Sequence, residues 1–234
     1  NFGNSRAANH SIGIALGLLD RQALDFGDSL DVFLAPESGK EGKLSLNYIF
    51  KNQRFHRRNI FAPNHGYGFS VNHDMVTSAI WGDLDYNKTE IDLFTHQKAG
   101  PLSFYARGRY EKLSGKPLAQ DTLGIFDIPN YYIAGSFVPG REYMSPRGFS
   151  GARYGKQAFM GTVELRAPAA PFQFVEILKI IQLGNPTVAL ISDFGNAWNN
   201  DRDKEDLIMT TGLEFRFALS LAKSPLFIFS YGWA

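Results

Sequence analysis

Residues Ser145–Pro168 read S-P-R-G-F-S-G-A-R-Y-G-K-Q-A-F-M-G-T-V-E-L-R-A-P. The first half is a Gly-rich loop built around Arg147-Gly148-Phe149. The second half alternates, with Phe159, Gly161, Val163, Leu165 and Ala167 on one face and Met160, Thr162, Glu164 and Arg166 on the other. A period of two marks a strand with one apolar and one polar face. Glu164 and Arg166 share the polar face, so that face meets water or pairs its own charges. The apolar face needs a second apolar layer or lipid, and which of the two covers it decides the fold.

The same alternation recurs on both sides of this stretch. Ile12, Ile14, Leu16 and Leu18 oppose Gly13, Ala15 and Gly17. Leu30, Val32 and Leu34 alternate with Ser29, Asp31 and Phe33; Leu44, Leu46, Tyr48 and Phe50 with Lys43, Ser45, Asn47 and Ile49; and Tyr67, Phe69 and Val71 with Gly68, Ser70 and Asn72. Thr89, Ile91 and Leu93 oppose Glu90 and Asp92. Leu102, Phe104, Ala106 and Tyr110 oppose Arg107, Arg109 and Glu111. Later strands carry Val188 and Leu190 opposite Asp193, Leu213 and Phe215 opposite Glu214 and Arg216, and finally Phe227, Phe229, Tyr231 and Trp233. Glu37–Gly42 and Phe61–Gly66 read as loop and turn. Ser114–Ser145 lacks clear alternation and is expected to hold one strand near Tyr131–Phe137. Phe172–Gly184 is the one segment that also fits a short amphipathic helix. The expectation is an all-β, antiparallel chain of about 12 strands (range about 10–16) in one domain spanning residues 1–234, without repeats or a linker.

The bulk numbers exclude several classes. Lys plus Arg total 24 against 23 Asp plus Glu, a balance that gives no hint of a nucleic-acid partner. The absence of Cys removes disulfides and thiolate metal sites. No run approaches the ~20 apolar residues of a membrane-spanning helix. A mean hydropathy of -0.20 fits a soluble protein, and equally a barrel, in which half of each strand is polar. The chain starts at Asn1, so it reads as a mature form or a piece of a longer protein.

A soluble β-sandwich and a membrane barrel share the alternation of any single strand. Three features favour the barrel. Leu207–Leu219 alternates unbroken for 13 residues, against about 5–6 in a usual soluble strand. Tyr48, Phe50, Tyr110, Trp198, Tyr231 and Trp233 sit at strand ends, where an interfacial girdle belongs. Acids and arginines recur on the polar side of successive strands, as a shared polar interior requires. The expected fold is a transmembrane antiparallel β-barrel, with a soluble binding module as the alternative.

With these residues in place, the chain resembles the bacterial surface-antigen superfamily of outer-membrane β-barrels, which includes BamA, TamA and the two-partner secretion transporters. Arg147-Gly148-Phe149 matches the Arg-Gly-aromatic tip of that family's long inward-folded loop. Val163-Glu164-Leu165-Arg166-Ala167-Pro168 and Ile191-Ser192-Asp193-Phe194-Gly195-Asn196-Ala197-Trp198 match its following strands, and Gly212–Tyr231 matches its penultimate pattern. F-A-P-N-H-G at Phe61–Gly66 and the first hairpin from Gly17 match less closely. Family barrels are longer and usually carry periplasmic POTRA domains or a patatin-type lipase domain, so this chain reads as a short member without them.

The resemblance implies that Arg147 reaches inward to Glu164 and Asp193, pinning a plug loop. A planar guanidinium fork suits carboxylates, and Gly148 permits a tight turn. Arg107, Arg109, Arg166, Glu214 and Arg216 are candidates for an interior network, whose mixed signs favour mutual pairing over ion conduction. The implied activity is outer-membrane protein insertion or translocation through a seam between first and last strands, where Gly13 and Gly17 suit a weak edge. A catalytically inert plugged barrel that anchors partner proteins is the other reading. Implied partners are the outer-membrane bilayer, lipopolysaccharide and client or partner proteins; the implied location is a bacterial outer membrane, with an organelle outer membrane of bacterial descent as the alternative. No catalytic residue, cofactor or metal is expected. The chain has no G-x-S-x-G elbow and no phosphate loop, and His10, His56, His65, His73 and His96 lack ligand spacing. Arg54, Arg57 and Arg58 form either a lipid-headgroup contact or a solvated loop.

Overall fold

The alternating segments form a continuous antiparallel meander. The structure, a computed structural model, describes residues 8–23, 37–53, 65–126, 144–169, 174–177, 181–199, 207–221 and 227–233. Twelve strands lie among them: β1 (Ala8–Arg21), β2 (Gly39–Gln53), β3 (His65–Val76), β4 (Tyr86–Ala99), β5 (Leu102–Gly115), β6 (Leu123–Phe126), β7 (Ala152–Gly155), β8 (Gln157–Pro168), β9 (Phe174–Ile177), β10 (Ile181–Trp198), β11 (Ile208–Leu221) and β12 (Phe227–Trp233). The main sheet has 10 strands in the order β1-β2-β3-β4-β5-β8-β10-β11-β12, with β9 paired to β10. The pair β6–β7 stands apart as a two-stranded sheet. All of these pairings are antiparallel. Among the described residues, β1 pairs only with β2, and β12 only with β11.

Register turns the alternation into two faces of opposite character. One outer row crosses the sheet through His10, Phe50, Phe69, Leu93, Gly108, Gly161, Phe194 and Met209. The next outward row runs through Ala106, Val163, Ser192 and Thr211, and the one beyond it through Phe104, Leu165, Leu190 and Leu213. Across the outward positions of β1–β5, β8 and β10–β12, the only Asp, Glu, Lys or Arg residues are Asp20, Lys40 and Lys112, all near strand ends. The inner face bears Asp92, Arg109, Glu164, Arg166, Asp193, Glu214 and Arg216, every one of them buried. Meanwhile Ile12 is 78% exposed, Leu93 52% and Met209 67%. This inverts the usual distribution, in which charged groups face water and large apolar groups are covered.

A small apolar core lies at one end of the inner face. There Val76, Tyr86, Leu113, Ala158, Ala197 and Ile208 from the sheet enclose Leu123, Ile125 and Met144 from the segment between β5 and β8. That segment starts with a 3-10 turn, Ala119–Asp121, and contains β6 and β7. Gly195 lies under the side chain of Ile125, where a Cβ would meet Cδ1 at 2.8 Å.

Several local expectations need correction. Glu37–Gly42 is not a loop throughout, because β2 begins at Gly39. Gly42 lets the strand pass the Trp81 backbone, which an added Cβ would meet at 2.6 Å. Phe172–Gly184 is not helical where it is described: β9 and the start of β10 pair from Phe174↔Gly184 to Ile177↔Ile181. Val175, Ile177 and Ile181 are β-branched, and this pairing supplies backbone partners that a short helix would leave open at its ends. The alternation at Leu30–Leu34, the strand near Tyr131–Phe137 and the basic run Arg54, Arg57, Arg58 lie outside the described residues.

Candidate functional site

Arg147 is placed by a tight turn. The N–H of Phe149 donates to the carbonyl of Pro146 at 3.2 Å, and Gly148 takes φ 77°, the positive value required at the third position of a type II turn. Phe149 packs beside the apolar core at one end of the inner face. The turn therefore points the Arg147 guanidinium onto the inner surface of β8, β10 and β11.

Three carboxylates from these three strands receive it. Arg147 grips Asp193 with both prongs of its fork, Nε to Oδ2 at 2.7 Å and Nη2 to Oδ1 at 2.8 Å. Its backbone N–H also donates to Asp193 Oδ2 at 3.0 Å. Nη1 donates to Glu164 Oε1 at 2.8 Å and to Glu214 Oε2 at 3.1 Å. Burial opposes the guanidinium charge, but its hydrogen bonds to Asp193 and the charges of Glu164 and Asp193 outweigh that and raise its pKa.

Two more arginines complete the cluster. Arg166 Nε donates to Glu164 Oε2 at 2.7 Å. Arg216 bridges Glu164 and Glu214, its Nη1 reaching Glu164 Oε2 at 2.9 Å and its Nη2 reaching Glu214 Oε2 at 2.7 Å. Three cations thus meet three anions: Arg147, Arg166 and Arg216 against Glu164, Asp193 and Glu214. Buried ions are tolerable only when paired and hydrogen-bonded in this way. The Arg166 guanidinium also lies over the Tyr105 ring at 4.6 Å, and the buried His96 ring stacks on the same Tyr105, centroids 4.6 Å apart.

Arg107 and Arg109 belong to a second cluster on β4 and β5. Arg107 binds Asp92 through Nε at 3.0 Å and Nη2 at 2.6 Å. Arg109 Nη2 reaches Glu111 at 2.7 Å and Glu90 at 3.3 Å, while Lys88 reaches Glu111 at 3.0 Å. Here too three cations match three anions. The structure brings Arg147, Glu164, Asp193, Arg166, Glu214 and Arg216 together, and pairs Arg107 with Asp92 and Arg109 with Glu90 and Glu111. Among the described residues named here, cations and anions balance in each cluster, which favours mutual pairing over selection of one sign of ion.

A third group escapes a reading by alternation. Arg21 at the end of β1 binds Glu41 at 2.8 Å and Asp121 at 2.6 Å. Glu37 accepts the N–H of Ala119 through Oε2 at 2.9 Å, and its carbonyl accepts Gln120 Nε2 at 2.8 Å. The 3-10 turn is thereby tied to the first hairpin. Glu41 falls in a stretch that reads as loop and Asp121 in one without periodicity. The only signal was the odd parity of Glu41 with Lys43 and Ser45 on β2. Among the described residues, no group of three or more His, Cys, Asp or Glu side chains could hold a metal ion. No family model matches the chain, and no curated protein matches it.

Proposed function

We propose that this chain is a transmembrane β-barrel of a bacterial outer membrane, or of an organelle membrane of the same descent, and a short relative of the surface-antigen barrels. The observation that carries the reading is the inverted sheet: large apolar side chains stand exposed on one face while paired charges are buried on the other. Lipid is the environment in which that distribution is favourable. The outer band has a suitable height. From Leu102 to Tyr110, β5 rises about 27 Å along the strand, or about 20 Å at a 40° tilt, near the ~25 Å band of such barrels. Closure would join β1 to β12. The 14 residues of β1 and the 7 of β12 would make that seam short.

In this reading Arg147 locks the loop against the interior wall and keeps the lumen plugged. The seam is the working element: it opens and offers the β1 edge to a client strand during protein insertion or translocation. The anchoring function is the second reading, and the balanced charge of the two clusters, as described, favours it, because ions that already pair within the wall need no moving part.

Two measurements test these readings. A barrel extracted in detergent should run compactly on gels and shift on heating. Arg147→Ala should weaken the compact form. A chain that stays soluble without detergent and shows no heat shift would end the barrel reading. A cysteine pair joining β1 to β12 separates the two functions, and the Cys-free chain makes any cross-link unambiguous. Loss of client assembly on oxidation supports insertion; unchanged assembly supports anchoring.

A further inference from the structure

Among the described residues, the outward strand positions carry one charged side chain that no opposite charge accompanies. Asp20 and Lys40 approach each other at 4.0 Å, and Lys40 also lies over the Trp81 ring at 5.8 Å. Lys112 has no such neighbour. It sits on β5 one outward position beyond Tyr110, level with Gln157 on β8. Two further lysines share this corner. Lys116 follows the end of β5, and the carbonyl of Lys156 accepts the N–H of Leu113 at 2.7 Å, so its backbone abuts β5. All three lysines are exposed, and none forms an ion pair with a described residue. Beneath them lies an aromatic and amide ledge: Tyr110 donates to Gln157 Oε1 at 2.8 Å, and Phe159 is the next outward residue of β8.

We infer that the β5–β8 rim is a docking site for a phosphate-bearing anionic lipid headgroup, held by Lys112, Lys116 and Lys156 above the Tyr110–Gln157 ledge. The inference rests on the barrel reading and adds a partner and a place to it. Tyrosine favours the level at which acyl chains give way to headgroups, and lysines just beyond it extend their ammonium groups to that layer. Three positive charges within one rim corner, none ion-paired with a described residue, complement a phosphate better than a zwitterionic headgroup. The Gln157 amide, with its oxygen engaged by Tyr110, retains its NH2 group to donate to the same phosphate. Asp85, exposed nearby where its carbonyl accepts the Lys116 N–H at 3.0 Å, is the acid that offsets part of this charge. Its carboxylate, however, is turned to the hydroxyl and N–H of Ser78.

The full chain is reconstituted in phosphatidylcholine bilayers with trace spin-labelled phosphatidylglycerol or phosphatidylcholine. The motionally restricted fraction of each is then compared. A preference for the anionic lipid of at least about fivefold at low salt is expected, falling with ionic strength. Lys112→Gln/Lys116→Gln/Lys156→Gln should bring the ratio towards one, while the corresponding triple Arg variant keeps it. A heat-shifting compact band certifies that each variant is folded. Equal restriction of both lipids by the wild type, or a preference that survives the Gln variant, overturns the headgroup site while leaving the barrel intact. No restricted lipid of either kind overturns both.

Discussion

Glu164 receives hydrogen bonds from Arg147, Arg166 and Arg216, so it neighbours more positive charge than it can neutralise, and Asp193 and Glu214 supply the remainder. Removing one member leaves a buried charge without its complement. Arg147→Ala should therefore cost about 3–5 kcal/mol, read as a lower denaturant midpoint in detergent. Arg147→Lys should recover only part of that, because an ammonium cannot reproduce the two-pronged contact with Asp193. Asp85, in the loop between β3 and β4, has a second residue-scale consequence. The N–H of Ser78 and the hydroxyls of Ser78 and Thr77 hold its carboxyl below the usual range. A depressed folded pKa means that the support it gives is present above the ordinary aspartate value, about 3.9, and is lost as pH falls through the lower folded value. The amide proton resonance of Ser78 should thus be constant at neutral pH and move only in acid. A titration centred at or above the ordinary value would contradict this.

Among the elements, two glycines face phenylalanines across paired strands and should respond differently to substitution. Gly161 on β8 lies beneath the Phe194 ring on the outer face. Gly68 on β3 meets the Phe94 ring on the inner face and also the carbonyl of Phe50, each 2.6 Å from where a Cβ would stand. A ring on the outer face can swing away; a strand carbonyl cannot. Gly68→Ala should destabilise by about 1–3 kcal/mol and Gly161→Ala by clearly less, measured as the difference in unfolding midpoints. The strands were legible because a two-sided sheet imposes a period of two on the chain. Phe159–Ala167 and Leu207–Leu219 announce their faces without any knowledge of their neighbours. β6 and β7 were not legible. Four residues each, they owe their conformation to Ile125 and Met144 filling a gap against β10, and such a fit leaves no periodic trace.

For the molecule as a whole, the arrangement of Arg147 with Glu164 and Asp193 was reached through the motif resemblance and not through physics alone, because residues 147 and 193 lie on elements whose approach depends on the entire sheet. Glu214 as a third ligand, and the Arg21–Asp121 tie, needed the register of β11 and the path of the β5–β8 segment. At this scale the sharpest test is to place charge in the exposed apolar band. Leu93→Arg on an ordinary solvated surface would be nearly neutral. In a bilayer it should cost about 2–4 kcal/mol, near the value for a mid-membrane arginine, measured as refolding free energy in lipid vesicles. A change within about 0.5 kcal/mol in vesicles would place that face in water.

The spacing of the inner charges bears on how such a sheet is assembled. Glu164 with Arg166, Glu214 with Arg216, and Glu111 with Arg109 are partners two residues apart on one strand. β8 and β11 therefore each bring a neutralising partner with them, whereas on β5 Arg107 depends on Asp92 of β4. β10 differs. Among the described residues, Asp193 accepts hydrogen bonds from Arg147 alone. A molecule without that loop in place would hold Asp193 buried and without this partner, which is costly. In the barrel reading proposed above, seating of this loop would be the step at which β10 gains its neutralising partner.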